Sequence, residues 1–324
     1  MQRRLFALTL AALAVAAPLA ASAQANWPER PIKMLVGFPP GGSTDLAARI
    51  IAAKLTQSLG QPVLVENRAG ASGNIAADAV AAAPPDGYLL LMAASSFAAA
   101  PAFSDKLTWD PLKSFTPIAQ VATVPILAVV TPALGAKSAA DLVKVSKARP
   151  GKLNLASPGP TTLVRLSGEQ FKQVAGVDWV TVHYKGGAPA MQDMLAGTAD
   201  IMFANISDVM AQVKAGKLQP IAVASPNRSA MAPDVPTFRE AGYPDFVFTT
   251  WQAVVGPAGL PPAIVNRLNA EIRRIVMQPE VQQQFLNMGT EVTTGKPEEF
   301  SALLAEDVAK IKRLAKSVGA TSTN

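Results

Sequence analysis

The sequence predicts an α/β protein of two similar lobes facing each other across a cleft. Three observations carry that expectation. Strand-like runs alternate with helix-like runs, the pattern of largely parallel sheets. The order strand, small-residue loop, helix, strand, small-residue loop, helix, strand occurs twice at similar spacing. Two apolar runs, 122–130 and 246–255, are long enough to leave the first lobe and return to it.

In the first half, a strand at 32–38 leads through Phe38-Pro39-Pro40-Gly41-Gly42-Ser43-Thr44-Asp45 into a helix at 46–59. Gly60 and then Pro62 stop that helix. A strand at 63–66, a loop at 67–73 and an alanine-rich helix at 74–83 follow. After the turn Pro84-Pro85-Asp86-Gly87, a third strand at 88–92 ends at Ser95-Ser96. The second half repeats the order. A strand at 153–156 enters Ser157-Pro158-Gly159-Pro160-Thr161-Thr162 and a helix at 163–174. Gly176 breaks the chain before a strand at 179–183, and the loop 184–189 opens a helix at 190–196. Gly197 stops it, and a strand at 200–203 ends at Ala204-Asn205. Pro261-Pro262 and Pro297 open helices at 263–277 and 298–317, since proline suits a first helical turn. All six loops follow strand carboxyl ends, where open parallel sheets bind ligands. Two crossings make a hinge about which such lobes close.

Arg3 and Arg4, an apolar run at 5–19 and the small-residue patterns Ala21-Ser22-Ala23 and Ala23-Gln24-Ala25 read as a signal peptide, residues 1–25. Cleavage falls after Ala23 or Ala25, leaving about 300 residues, enough for two domains. A membrane anchor fits less well, because the run is short and ends near Pro18. The paired arginines also hint at twin-arginine export, but Gln2 stands where Ser or Thr is usual, so the route stays open. Without cysteine, an exported chain has neither disulfides nor thiolate metal sites. The formal charge of +6 falls to +4 without Arg3 and Arg4, and the basic residues are scattered. That distribution argues against nucleic-acid binding.

The first loop is neither a phosphate loop, since no lysine follows its glycines, nor a dinucleotide fingerprint, since G-x-G-x-x-G is absent. Two readings remain. The N–H groups of Gly42, Ser43 and Thr44 bind a carboxylate at a helix N-terminus, or Ser43 or Thr44 caps the helix while Asp45 satisfies first-turn donors. The matching loop at 157–162 favours the anion. Capping suits Asp45 better than catalysis, because no partner acid or base is evident. His183, the single histidine, lies in an apolar strand and reads as a core or cleft-edge residue. One histidine and no dense acidic loop leave little to hold a metal, and none is expected. Hydrolysis lacks the G-x-S-x-G elbow. Arg68, Arg165 and Lys185 are placed to meet a ligand carboxylate or to be surface charge, and Phe38 and Trp251 to wall the cleft or fill the core.

Trp27-Pro28-Glu29-Arg30-Pro31-Ile32, the loop 38–45, Gly60-Gln61-Pro62-Val63 and Val65-Glu66-Asn67-Arg68 resemble one family. So do Gly73-Asn74-Ile75, Pro85-Asp86-Gly87-Tyr88, Pro150-Gly151-Lys152-Leu153, Tyr184-Lys185-Gly186 and Ala215-Gly216-Lys217-Leu218. The family is the Bug receptors, the periplasmic solute-binding components of tripartite tricarboxylate transporters. The resemblance implies a two-lobed periplasmic-binding-protein fold of type II, with two crossing strands. It implies a carboxylate held between the two loops, partly through ordered waters, and delivery to one large and one small membrane subunit. Carried over by position, Gly42, Ser43, Thr44 and Asp45 belong to the first loop, and Ser157, Gly159, Thr161 and Thr162 to the second. Ser95, Ser96, Tyr184, Lys185, Ala204 and Asn205 complete the cleft. Pro158 and Pro160 stiffen a loop that is Ser/Gly/Asn-rich in the family, and each removes a donor. Arg165 stands where histidine is frequent and Ala204 where Asp is, which leans towards a ligand with a carboxylate but no ammonium.

The expected protein is therefore a periplasmic receptor for a small mono- or dicarboxylate, a monomer without cofactor or catalysis. Its lobes are expected at 26–124 and 125–249, with 250–324 returning to the first. A ligand sensor feeding a signalling partner and an enzyme acting on a carboxylate are the alternatives.

Overall fold

β1 (Ile32–Val36) is buried at every position but Lys33, as a central parallel strand should be. It pairs in parallel with β2 (Val63–Asn67) on one side and β3 (Leu89–Ala94) on the other. The computed structural model in which these pairings are seen describes residues 27–104, 106–159, 162–184 and 186–319. α1 (Ser43–Leu59) and α2 (Asn74–Ala81) make the two crossovers, and α3 (Ser96–Phe103) leaves β3. β4 (Phe115–Val130) then runs the length of the molecule. Beyond it follow α4 (Ala139–Ala148), β5 (Leu153–Ser157), α5 (Leu163–Ala175), β6 (Trp179–His183), α6 (Gly187–Ala196), β7 (Ile201–Asn205), α7 (Ile206–Lys214) and β8 (Gln219–Val223). β9 (Thr249–Pro257) returns the chain to α8 (Pro262–Val276), α9 (Pro279–Asn287), β10 (Glu291–Val292) and α10 (Pro297–Ser317). The signal segment lies outside the described residues.

The sheet order is β2-β1-β3-β9-β4-β7-β5-β6, with β8 and β10 also on β4. Register explains why this order makes a cleft. β4 pairs with β9 from Phe115↔Pro257 to Pro125↔Thr249, then with β7 from Ile126↔Asn205 to Val130↔Ile201. The change of partner falls at Pro125, a residue with no N–H to give to either ladder. β3 is antiparallel to β9 and ends at Ala94↔Gln252, near the start of β9. β7 ends at Asn205, opposite Ile126. Because β1 and β2 run parallel to β3, and β5 and β6 continue in parallel from β7, the carboxyl ends of six strands converge on residues 124–126. The matched loops of the two halves therefore meet at one line.

Apolar burial holds the layers. α8 buries Ile264, Leu268, Ile272 and Ile275 against the side of the first sheet that also carries Ala48, Ile51 and Leu55 of α1. Each large side chain of that kind contributes about 1.5–3 kcal/mol when fully buried, far more than the exposed ion pairs around it. On the other side, a single core runs from Leu35, Trp251 and Phe300 to Phe171, Trp179 and Phe203, so the two halves share packing as well as strands. Phe171 anchors its far end, 5.0 Å from the Phe238 ring centroid and 5.5 Å from that of Phe246.

One close backbone contact lies beside the crossing strands. Gly289, in the turn between α9 and β10, has φ +77°, and a Cβ there would lie 2.8 Å from Cα and 2.9 Å from N of Ser207. β10 continues from this turn onto Thr123 and Ala122 of β4. The turn thus abuts the start of α7, backbone against backbone, beside the point where β4 changes partner.

Candidate functional site

At the end of β1 the chain must turn sharply against the neighbouring loop. A Cβ on Gly37 would sit 2.4 Å from Cα of Gly73, so Gly37 must be glycine for the backbones to approach, while Gly73 needs it for a φ of +98°. Gly41 follows at φ +87°. Gly42 is the residue before α1, extended at ψ 165°, and no side chain caps the helix. Ser43 is already its first residue, so capping by the Ser43 or Thr44 hydroxyl does not occur. First-turn N–H groups have no intrahelical acceptor. Here they are left at the end of a helix whose dipole favours an anion.

Asp45 holds this arrangement in place. Its side chain is buried, and its carboxylate accepts from Gly41 N at 2.9 Å, Arg49 Nε at 2.9 Å and Asn67 Nδ2 at 2.8 Å. Asn67 Nδ2 also donates to Phe38 O at 3.0 Å, and Arg49 Nη2 donates to Asn67 Oδ1 at 3.0 Å. Burial alone would push the Asp45 carboxyl up, but the bonds from Arg49, Gly41 and Asn67 together outweigh it and hold the group below the usual carboxylate range. Asp45 therefore reaches back into the loop rather than onto first-turn donors, and its oxygens are engaged by the protein.

The second loop is built differently. Ser157, fully buried at the end of β5, donates from Oγ to Gly159 O at 2.9 Å. Thr162 caps α5: its Oγ1 accepts from Arg165 N at 3.3 Å and donates to Gly159 O at 3.1 Å. So α5 is capped where α1 is open, and the hydroxyls of Ser157 and Thr162 are spent inside the loop. Thr161 and Lys185 lie outside the described residues. Arg165 is half-buried in the first turn of α5, where burial pushes its guanidinium down and Glu169 opposes the shift. His183 is at the exposed end of β6; burial and then Arg165 lower its pKa, against Glu169. Glu169 itself accepts from Thr181 Oγ1 at 2.5 Å and pairs with Lys172 at 3.0 Å.

The family model for the tripartite tricarboxylate transporter family receptor, TctC, matches residues 47–320. The chain belongs to this family. It is 36% identical to protein BugT of Bordetella pertussis over 96% of this chain and 95% of that one. Among solved structures it is similar to R. palustris Rpa4515 with adipate, at a TM-score of 0.85 and 32% identity, covering 92% of this chain and all of that one. MatC from Rhodopseudomonas palustris with bound malate superposes at a TM-score of 0.79 and 32% identity, covering 89% and 99%. These likenesses carry the two-lobed periplasmic-binding-protein fold, and no helix among the described residues is long and apolar enough to cross a membrane.

In this receptor the remaining loop residues divide by role. Ser95 is buried; it accepts from Trp251 N at 2.6 Å and so pins β3 to β9. Ser96 lies with Gly37, Phe38, Ser72 and Gly73 around a narrow cavity. Trp251 is core, its Nε1 donating to Asp307 at 2.6 Å, whereas Phe38 is half-buried at that cavity. Tyr184 N donates to Ser157 O at 2.9 Å, and its hydroxyl donates to Asp193 at 2.7 Å. Burial first, then Asp193, pushes that hydroxyl up to about 12. Ala204 is buried among Leu127, Met202 and Ile206, so its methyl offers a ligand nothing. Asn205 accepts from Thr250 Oγ1 at 2.9 Å, tying β7 to β9. Arg68 pairs with Glu66 at 2.7 Å.

Sequence reasoning passed over Arg49, Asn67 and Thr250. Arg49 was visible as the i+4 partner of Asp45, a spacing that places both on one helix face. Asn67 and Thr250 are placed by strand register, which no local pattern displays.

Proposed function

We propose that this receptor captures a small organic carboxylate between its lobes and passes it unchanged to the integral-membrane subunits of a tripartite transporter. The observation that carries the reading is the uncapped N-terminus of α1, held open by Asp45 at the line where six strand ends converge. A carboxylate satisfies those donors without needing a catalytic group, and lobe closure strengthens each bond by excluding water. The relatives solved with adipate and malate support a dicarboxylate among mono- and dicarboxylates. An ammonium finds little here: the carboxylates of Asp45 and Asp193 are engaged, and Ala204 has no acid to offer. We take the lobes as 26–124 and 125–249, with 250–324 rejoining the first, a division supported by the change of β4 partner at Pro125. Export with cleavage after Ala23 or Ala25, and action as a monomer, complete the proposal.

A thermal-shift screen over aliphatic, hydroxylated and aromatic carboxylates tests it. A ligand at 100 times its Kd adds about 2.7 kcal/mol to the native state. For a chain of this size that is a rise in Tm of about 4 °C. Stabilisation by a sugar or another neutral solute, with none by any carboxylate, would overturn the reading.

A further inference from the structure

A buried carboxamide near the crossing strands lacks a hydrogen-bond partner. Gln252 of β9 is 2% exposed, and its Oε1 is buried with no donor among the described residues. A buried acceptor without a donor is costly, so it calls for a reason. Strand alternation fixes where the side chain points. Trp251, Ala253 and Val255 face the core that holds Phe300, whereas Val254 faces α1 and α8. Gln252 therefore points to the α1 side, opposite Ala94 of β3.

That direction brings it to the open end of α1. Val36, Met92 and Val254 make one row across this side of the sheet, and Ala94 and Gln252 make the next row towards the cleft. The stripe of α1 that faces the sheet runs from Leu55 through Ile51 and Ala48 to Thr44, which is buried in the first turn. Two residues nearer the hinge, Thr250 donates to Asn205 of the second half. Gln252 thus stands beside both the first turn of α1 and the line where the halves meet.

These two features need opposite things from a ligand. The first-turn N–H groups of α1 are donors, and Gln252 Oε1 is an acceptor. A plain carboxylate only accepts, so it serves α1 and not Gln252. A carboxylate with a hydroxyl on the neighbouring carbon serves both. An ammonium would donate too, but the neutral carboxamide leaves its charge unbalanced. We infer that Gln252 is a specificity-determining residue, its Oε1 accepting from the hydroxyl of a 2-hydroxy carboxylate whose carboxylate faces α1. The inference rests on the carboxylate reading above and narrows its ligand class.

Isothermal titration of the full chain with matched pairs tests this: lactate and propionate, malate and succinate, 2-hydroxyadipate and adipate. In a pair that the wild type binds, the hydroxylated member should bind about tenfold tighter, the difference made by satisfying one buried acceptor. Gln252→Met keeps the size of the side chain and removes the acceptor. It should abolish the preference by weakening the hydroxylated ligand, while the plain one stays within about threefold of wild type. Its Tm without ligand should equal or exceed that of wild type, since an unpaired buried oxygen is gone. A wild type without the preference, or a preference that survives Gln252→Met, overturns the role of Gln252 and leaves the carboxylate reading standing. Equal losses for both members of a pair overturn it too, since the carboxamide would then serve the carboxylate through Nε2. Failure of all these probes to bind also overturns it, and if no other carboxylate binds, the reading beneath it falls as well.

Discussion

Asp45→Ala is expected to lower stability by about 2–3 kcal/mol and to weaken carboxylate binding by more than about tenfold. The stability figure follows from three hydrogen bonds to one buried carboxylate, discounted because Arg49 stays half in solvent and keeps water as an alternative partner. For a chain of this length the melting temperature should fall by about 3–5 °C. The binding loss is larger than the removal of a capping residue would explain. Without Asp45, Gly41 N–H loses its acceptor and Asn67 keeps only Phe38 O and Arg49, so the first-turn donors of α1 lose their fixed direction. Asp45→Asn should recover little, since its amide turns an acceptor into a donor facing Gly41 N–H and Arg49.

Asp45 also gives that loss a pH dependence. Its folded pKa lies below the ordinary carboxylate value, so the unfolded chain takes up the proton first as pH falls. Its contribution is complete above the unfolded value of about 3.9 and disappears as pH drops through the folded one. The stability gap between wild type and Asp45→Ala should stay flat from neutral pH to about pH 5, then shrink in stronger acid. Urea titrations at several pH values measure this directly. A gap that widens on acidification would contradict the assigned role.

Gly289→Ala is expected to act through lobe geometry. The added carbon would lie 2.6 Å from Met231 Sδ, 2.8 Å from Ser207 Cα and 2.9 Å from Ser207 N. The methionine side chain can give way, but the backbone of Ser207 is the start of α7 and cannot move alone. Either the α9–β10 turn retreats from β4 or the second lobe tilts about residues 124–126. The first outcome costs stability, to which the strained φ of +77° adds about 1 kcal/mol. The second changes the lobe angle, so ligand affinity falls about tenfold while the fold persists. Small-angle scattering with and without ligand, together with melting curves, separates the two. Affinity and stability both equal to wild type would show that the contact is not binding the lobes in register.

Much of this was legible in the sequence because the two halves repeat. Trp179–His183 stands where alternation and Gly176 place it, and α1 ends at Gly60 in the left-handed conformation its stop signal requires. The start of α1 was not legible: the helix begins at Ser43 rather than residue 46, because Gly42 in extended conformation serves as the boundary. β4 reaches back to Phe115, further than the apolar run at 122–130, since register shifts near Pro117 and Gln120 break its alternation. α3 gave no helical period, being buried nearly all round and carrying Pro101. β8 and α9 were hidden for other reasons, one short with an internal proline, the other polar over most of its length. At the site, the pairing of the 38–45 and 157–162 loops was readable as a repeat. Their inequality was not, because whether a hydroxyl caps its helix depends on one residue of register: Thr162 precedes α5, whereas Ser43 lies inside α1.

The central claim is that the open N-terminus of α1 receives a carboxylate at the line where six strands end. A crystal structure of the receptor grown with whichever carboxylate most raises its melting temperature tests this most directly. Ligand carboxylate oxygens are expected within about 3 Å of the first-turn N–H groups of Gly42, Ser43 or Thr44. A ligand bound with its carboxylate turned away from α1, or seated outside the interlobe cleft, would contradict the account.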